Sequence, residues 1–345
     1  MTKTARCLLT DLLLIVGLTS APSDANAQSF GRPVISIIVP SVAGSVQNTA
    51  VRSMEKTLGS ILGATIVVHA YPSATGQTSI RACQQAKPDG GTMCFVGYGA
   101  AVAVQSAYQI ANEPYIGDGL VLIRVIADHS IEMVGRSSLA SNLNLDRFVD
   151  ESKKSKEAGK ELACGFRGGY PQLAMHVLRR FAEMPVKVIS YTDQNEVLLA
   201  LERGELDCAV GLFSTVMKSS IDRGVSTHLG TFGTRMNPLL PNTRLLASLG
   251  CADCGLMNAA FAMWGPPGLP ADIAERYNAA ITKALQDEDV RKAFEKMGTA
   301  LRPESTIEKG EREVTKARAE MRRLLCQARL KMVDLPNPFA ACAAE

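Results

Sequence analysis

The length of the chain, 345 residues, is enough for about two domains of ordinary size. Its 37 Lys and Arg residues nearly balance its 34 Asp and Glu residues, so the net charge is only +3. A dedicated nucleic-acid-binding protein would carry a clustered basic face, and an aromatic content of 5% leaves few rings for base stacking. No segment reaches the ~18–20 consecutive apolar residues of a membrane-spanning helix. These numbers exclude nucleic acid as the expected partner and an integral membrane protein as the expected class.

The N-terminal segment is organised like a secretory signal peptide. Lys3 and Arg6 form a short basic region, residues 12–18 are continuously apolar, and Ala-Asn-Ala at 25–27 fits the small-x-small rule for cleavage. We therefore predict that residues 1–27 are removed and that the mature chain is exported. An uncleaved N-terminus that is helical or disordered is the alternative.

Eight cysteines remain in the predicted mature chain, and an even number in an exported protein indicates disulfides. Their pairing does not follow from the sequence, although Cys342 is placed to fasten the C-terminal tail. Cys251 and Cys254 form a C-x-x-C motif with no second motif or histidine pair to complete a zinc site. The motif lies in a predicted loop rather than at a strand-to-helix turn. A structural disulfide is therefore favoured over the alternative, an exported thiol–disulfide enzyme. The eight residues are Cys83, Cys94, Cys164, Cys208, Cys251, Cys254, Cys326 and Cys342.

The first part of the mature chain alternates strands and helices. Residues 34–39 form a nearly continuous β-branched run, which is typical of a strand buried on both faces of a parallel sheet. An amphipathic helix is predicted for 49–62, and strands follow at 65–68 and 92–97 with a helix at 79–86 between them. A small-residue loop is predicted to begin after the third strand. These elements predict two right-handed β-α-β units.

A second alternating series begins near residue 131, and we predict that it forms a second lobe from 131 to 254. After residue 255 the chain is predicted to return to the first lobe, which then comprises 28–130 and 255–345. The predicted strands of the second series are 131–135, 161–166, 186–190 and 206–210, with helices at 143–158, 172–183 and 195–203. The predicted elements of the returning segment are a strand at 258–264 and a long helix at 304–332.

The sequence contains none of the motifs that would assemble a catalytic centre. Its four histidines have no metal-binding spacing, and the nucleophile elbow, the phosphate-binding loop and the dinucleotide fingerprint are all missing. What recurs is a strand, a small polar loop and a helix. Such loops expose backbone N–H groups at helix N-termini, which favour an anion, and in open parallel sheets they lie where ligands bind. The alternative is that these small residues only form tight turns and bind no ligand.

Five segments, in order, resemble one family. Residues 39–52 are similar to the pattern V-P-F-A-P-G-G-x-x-D-x-x-x-R, and residues 72–92 to P-G-A-G-G followed by A-x-P-D-G-Y-T. Residues 189–207 resemble V-P-Y-K-G followed by L-x-x-G-x-V-D. The stretches 231–241 and 262–270 resemble T-S-x-x-R-x-x-x-L-P-D-V-P and G-L-x-A-P-A-G-T-P. These patterns belong to the periplasmic solute-binding receptors of tripartite tricarboxylate transporters, the Bug proteins, and they cover nearly the whole mature chain.

The resemblance implies an α/β fold of the type II periplasmic-binding-protein class, with two βα lobes, a central cleft and hinge strands. It implies a periplasmic, monomeric receptor that traps a small organic carboxylate by lobe closure and delivers it to a membrane permease. The resemblance does not imply catalysis, and it does not imply a metal or a cofactor. The alternative within the same binding class is a receptor that serves a sensor kinase.

Carried over by position, the resemblance implies a set of ligand-binding residues on both lobes. Where the family has Gly, Asp and a Gly-Ser-Thr loop, this chain has Ser45, Asn48 and a loop ending at Tyr170. Arg167 replaces an uncharged residue, and we predict that it pairs with a ligand carboxylate, with exposure to solvent as the alternative. A ring of the ligand stacked on Tyr170 would favour an aromatic or cyclic carboxylate. The implied residues are Ser41, Gly44, Ser45, Asn48, Ser73, Thr75, Gly76, Gln77, Tyr98, Arg167, Gly168, Gly169, Tyr170 and Tyr191.

Overall fold

The computed structural model describes residues 31–73, 76–115, 117–240, 242–331 and 334–342. The predicted signal peptide lies outside the described residues. Within them, no helix has both the length and the apolar character needed to cross a membrane. The strands and helices in chain order are β1 (Val34–Val39), α1 (Val46–Leu62), β2 (Thr65–Ala70), α2 (Gln77–Gln84), β3 (Thr92–Gly97), α3 (Gln105–Ile110), β4 (Val121–His129), β5 (Ile131–Arg136), α4 (Leu145–Glu157), β6 (Leu162–Arg167), α5 (Tyr170–Phe181), β7 (Val186–Tyr191), α6 (Gln194–Glu202), β8 (Cys208–Leu212), α7 (Thr215–Asp222), β9 (Ser226–Phe232), β10 (Ala259–Gly265), α8 (Ala271–Ala284), α9 (Glu288–Lys296), β11 (Ala300–Leu301) and α10 (Ile307–Ala328).

The strands form two sheets, each the centre of one lobe. The first sheet has the order β11-β4-β10-β3-β1-β2, and the second has the order β7-β6-β8-β5-β9. β1 pairs in parallel with β2 and β3, and β6 pairs in parallel with β7 and β8. Both predicted β-α-β series are therefore confirmed.

The chain crosses between the sheets at two places. Only Ser130 separates β4, in the first sheet, from β5, in the second. The return crossing connects β9 to β10. β5 and β10 each lie antiparallel to both of their neighbours, β5 between β8 and β9 and β10 between β3 and β4. The predicted strand at 131–135 is thus a crossing strand rather than a member of the parallel series.

The segment after β3 departs from the sequence prediction of a loop. A π-helical turn over Gly99–Val104 runs directly into α3, and most of its residues are buried alanines and valines. Small apolar residues pack closely beneath a helix, so the composition that predicts a loop here also suits a buried helical segment. β4, α7 and β9 were not predicted at all.

Helices cover both faces of each sheet. α1, α8 and α9 pack on one face of the first sheet, with Met54, Leu58 and Tyr277 in its core. α6 and α7 cover one face of the second sheet. The remaining faces share one apolar cluster in which α5 of the second lobe meets the π-helical turn of the first and both lie near α10. The lobes are therefore held together by apolar packing on one side of the cleft.

Four disulfides pair all eight cysteines of the predicted mature chain: Cys83–Cys94, Cys164–Cys208, Cys251–Cys254 and Cys326–Cys342. The last joins α10 to the C-terminal tail, as predicted. Both cysteines of the C-x-x-C motif are buried; Cys254 lies in a 3₁₀ turn, Ala252–Leu256, and Cys251 directly precedes that turn. A redox-active pair needs an accessible low-pKa thiol, so this environment suits a structural disulfide.

Removing Cys164–Cys208 should cost more stability than removing Cys251–Cys254. The first closes a separation of 44 residues and the second a separation of only 3. In the chain-entropy treatment of disulfides, this difference corresponds to about 2 kcal/mol of unfolding free energy. Urea unfolding of the two double-alanine variants measures it. Equal losses, or a larger loss from the short loop, would contradict the prediction.

Candidate ligand-binding cleft

Two adjoining cavities lie between the lobes, at the carboxyl ends of the parallel strands. Both are lined by Gln47, Arg167, Gln194 and Leu212, so they form one continuous cleft. The first cavity is otherwise mostly apolar, with aromatic rings from Tyr98, Tyr170 and Phe261 in its wall. The second is bordered mainly by hydroxyl, amide and carboxylate side chains. This is the position at which open parallel sheets bind ligands.

The cleft brings together nine of the residues implied by the family resemblance. Four others, Asn48, Ser73, Gln77 and Tyr191, line neither cavity, and Thr75 lies outside the described residues. The nine are Gly76, Tyr98, Gly168, Gly169 and Tyr170 in the first cavity, Ser41, Gly44 and Ser45 in the second, and Arg167 in both.

The contacts at the amino end of α1 explain why Ser45 lines the cleft and Asn48 does not. Ser45 caps the helix, since its Oγ accepts a 3.3 Å hydrogen bond from the Asn48 N–H and donates to Ser41 Oγ at 2.7 Å. The Asn48 side chain instead accepts from Arg52 Nε at 3.1 Å and is buried. Ser41 and Ser45 therefore border the cleft, while the Asn48 amide is engaged along its own helix.

Arg167 is the last residue of β6, and its guanidinium crosses the cleft. Nη2 donates to the carbonyl oxygens of Pro40 at 2.9 Å and Ser73 at 2.8 Å, both in the first lobe. Nε donates to the carbonyl of Thr192 at 3.2 Å, within the second lobe. Burial lowers the pKa of Arg167, and the nearby Asp193 carboxylate opposes that shift. The side chain is directed into the cleft rather than toward solvent.

A glycine contact sets how closely the lobes approach. A Cβ atom added at Gly99 would lie 3.2 Å from the backbone nitrogen of Tyr170 and 3.6 Å from Gly169 Cα. Gly169 itself has a φ of +82°, a conformation that favours glycine. Backbone therefore meets backbone across this part of the cleft, without intervening side chains.

Two tyrosines next to the cleft are deeply buried. The Tyr98 hydroxyl has no hydrogen-bond partner among the described residues. Burial raises the pKa values of both Tyr98 and Tyr170, so both phenols remain neutral at physiological pH. Stacking of a ligand ring on Tyr170 stays a prediction.

Gln47, Gln194 and Asp193 line the cleft but were not predicted from the sequence. The Gln194 amide donates to the Leu212 carbonyl, which holds the side chain at the junction of the two cavities. All three lie at helix N-termini, and this position is the feature of the sequence that could have identified them as cleft residues. The family patterns leave positions 47 and 194 unspecified and have glycine at 193, so similarity alone does not identify these three side chains.

His129, at the end of β4, connects the two lobes beneath the cleft. Its Nε2 donates to the Phe213 carbonyl at 2.8 Å, and its ring stacks on Phe261 with centroids 5.0 Å apart. Burial lowers the pKa of His129 to about 4, although the Phe213 carbonyl and Glu132 oppose the shift. Glu132 is fully buried and accepts hydrogen bonds from His228 and Thr231.

Stability should therefore fall as the pH is lowered from about 6.5 to about 4. In this window the unfolded chain protonates His129 while the folded protein keeps it neutral, which costs about 3 kcal/mol at the acid end. A His129→Gln variant, measured by urea unfolding across this range, should show a flatter profile. The exposed His69→Gln variant serves as the control. An unchanged slope in His129→Gln would contradict the prediction.

The chain is similar in sequence to a Bug protein and in fold to two solved structures that hold dicarboxylates. BugT of Bordetella pertussis is 22% identical over 294 residues, covering 84% of this chain and 89% of BugT. The structure of MatC from Rhodopseudomonas palustris with bound malate has a TM-score of 0.74 at 18% identity, covering 86% of this chain and 99% of MatC. That of Rpa4515 from R. palustris with adipate has a TM-score of 0.75 at 16% identity, covering 87% and 98%.

These fold similarities confirm the two-lobe α/β architecture expected of a periplasmic binding protein. The family model described as tripartite tricarboxylate transporter family receptor matches residues 50–307. The match spans most of the described chain, including every strand except β1 and most of the residues that line the cleft. The chain belongs to the tripartite tricarboxylate transporter receptor family.

Proposed function

We propose that this receptor captures a small organic carboxylate in the cleft between its lobes and delivers it to a transporter permease. One observation supports this proposal above all. Loops at the strand ends of both sheets meet around a single cleft, and the Arg167 guanidinium crosses that cleft. Export through cleavage of residues 1–27 would place the receptor in the periplasm, where the permease is reached from outside the membrane.

The cleft offers donors suited to a carboxylate. Arg167 Nη1 makes no hydrogen bond to the described residues, so its N–H groups remain available. The N-termini of α1 and α5 also border the cavities, and Gly169, the residue before α5, provides no side-chain cap for that helix. Hydrogen bonds from a guanidinium and from helix N–H groups to a carboxylate are charge-assisted, and they are stronger than neutral ones.

The ligands of similar proteins support this class. The MatC and Rpa4515 structures hold malate and adipate, which are both carboxylates. By contrast, no histidine borders either cavity among the described residues, and no group of three metal-binding side chains occurs there. The surroundings fit binding and release, and we propose that the protein has no catalytic activity.

A thermal-shift screen of the purified protein against mono-, di- and tricarboxylates and aromatic acids tests the proposal. A ligand at a hundredfold excess over its Kd stabilises the folded state by about 2.7 kcal/mol, which raises the melting temperature by several degrees. We expect a shift confined to one class of carboxylate. No shift with any acid would contradict the proposed function.

Arg167→Ala should weaken binding of the best acid from that screen at least tenfold, because a charge-assisted donor is lost. Isothermal titration calorimetry measures the change. Arg179→Ala, an exposed arginine on α5 that lines neither cleft cavity, is the matched control and should bind normally. Unchanged affinity in Arg167→Ala would remove this guanidinium from the site.

A further inference from the structure

The cleft holds two opposite charges, the guanidinium of Arg167 at the end of β6 and the carboxylate of Asp193 just after β7. Among the described residues that line its two cavities, Arg167 is the only cation and Asp193 is the only anion. Both border the second cavity. They form no ion pair with each other, and neither pairs with any other described side chain, although many surface charges of this protein do pair.

Each charge keeps unused bonding capacity. Nη2 and Nε of Arg167 donate hydrogen bonds to carbonyl oxygens, whereas Nη1 has no partner among the described residues. Asp193 caps α6, with one carboxylate oxygen, Oδ1, accepting from the Asn195 N–H at 2.8 Å. Its other oxygen makes no hydrogen bond to the described residues. The cavity therefore offers one free donor edge and one free acceptor edge of opposite charge.

Charge complementarity decides between ligand classes. A dicarboxylate would satisfy Arg167 with one carboxylate but bring the other into a cleft whose remaining charge is negative, and like charges at close range repel. A molecule with one carboxylate and one ammonium group would neutralise both side chains at once. Charges withdrawn from water are tolerated when they are paired in this way.

We infer that the ligand is a zwitterion of the amino-acid type, with its carboxylate on Arg167 and its ammonium group on Asp193. This rests on the proposed function and names its substrate class. The rest of the ligand enters the first cavity beside Phe261 and Leu212, where the described residues offer no further charge beyond Arg167. The side chain of the amino acid is therefore uncharged.

Paired probes that differ only in the ammonium group test the inference. L-phenylalanine is compared with 3-phenylpropanoate, and L-leucine with 4-methylpentanoate, by calorimetry on the purified protein. The amino member of at least one pair should bind ten times more tightly or better. Asp193→Asn should abolish that preference, weakening the amino member at least tenfold and leaving the deamino member unchanged.

The substitution is chosen to keep the fold, because asparagine caps helices as well as aspartate does. An unchanged urea midpoint verifies this, and Asp146→Asn in the exposed first turn of α4 is the matched control. If the deamino acids bind as tightly as the amino acids, or if Asp193→Asn keeps the preference, the inference is wrong while a carboxylate receptor stands. If no acid of any class binds, the proposed function falls with it.

Discussion

Replacing Arg124 with methionine should lower the free energy of unfolding by about 4–5 kcal/mol, because the guanidinium is buried and five acceptors depend on it. Nη1 donates to Asn278 Oδ1, Thr282 Oγ1 and the Ser305 carbonyl at 2.6–2.9 Å. Nη2 donates to the carbonyls of two residues just after β11. Methionine fills a similar length but leaves the carbonyl oxygens without partners.

The position of Arg124 explains why so much depends on one side chain. It lies on β4 and connects that strand to α8 and to the turn before α10, three parts of the first lobe that are distant in sequence. None of the carboxylates in the described residues pairs with it; burial lowers the pKa of Arg124, and Glu304 only partly opposes this. Its stability contribution therefore comes from hydrogen bonds to neutral acceptors.

Urea unfolding of Arg124→Met and Arg124→Lys measures the effect. Lysine keeps the charge but has no planar fork, so it should recover only part of the loss. Arg223→Met, at an exposed end of α7, is the matched control and should change stability by less than about 1 kcal/mol. A loss in Arg124→Met no larger than in the control would show that the fork is dispensable.

Introducing valine at Gly99 should hold the lobes apart and weaken ligand binding about 5- to 150-fold. The added Cβ meets the Tyr170 backbone nitrogen at 3.2 Å, and the valine methyl groups extend beyond it. Overpacking of this kind costs about 1–3 kcal/mol, which corresponds to that range of affinities. The cost falls on closure because the obstructing atoms belong to the opposite lobe.

Spin labels at two exposed valines report the separation of the lobes: Val42 follows Ser41, which lines the second cavity from the first lobe, and Val216 lines it from the second lobe. The distance between them should increase in Gly99→Val and increase less in Gly99→Ala. The free energy of unfolding should hardly change, since Gly99 lies in a helical segment where alanine is preferred to glycine. A normal label distance with normal affinity would show that this contact does not limit closure.

The sequence predicts the parallel core well for a physical reason. Strands such as β1 are buried on both faces, so they appear as continuous apolar runs between turn residues. The crossing strand β5 carries no such mark of direction, because antiparallel and parallel neighbours bury the same residues. The direction of β5 relative to its neighbours is set by the path of the chain between the lobes, which is a tertiary property.

In the candidate site, too, some features could be predicted from the sequence and others could not. Backbone-presenting loops, including Gly168 and Gly169, follow from the pattern of strand, small residues and helix. Side-chain roles do not follow from it, because they depend on contacts within each loop and across the cleft. Gln77 donates to the Tyr108 hydroxyl at 3.2 Å in the first lobe instead of lining the cleft, while Gln194 of the second lobe does line it.

The central position of β10 in the first sheet has a consequence for the order in which the protein acquires its structure. β10 separates β3 from β4, and it is synthesised after every strand of the second sheet. All strands of the second sheet, and the Cys164–Cys208 pair within it, lie between residues 131 and 232. We therefore expect the later-encoded lobe to mature first on a chain emerging N-terminus first, with its disulfide oxidised while the first sheet is still two separate halves.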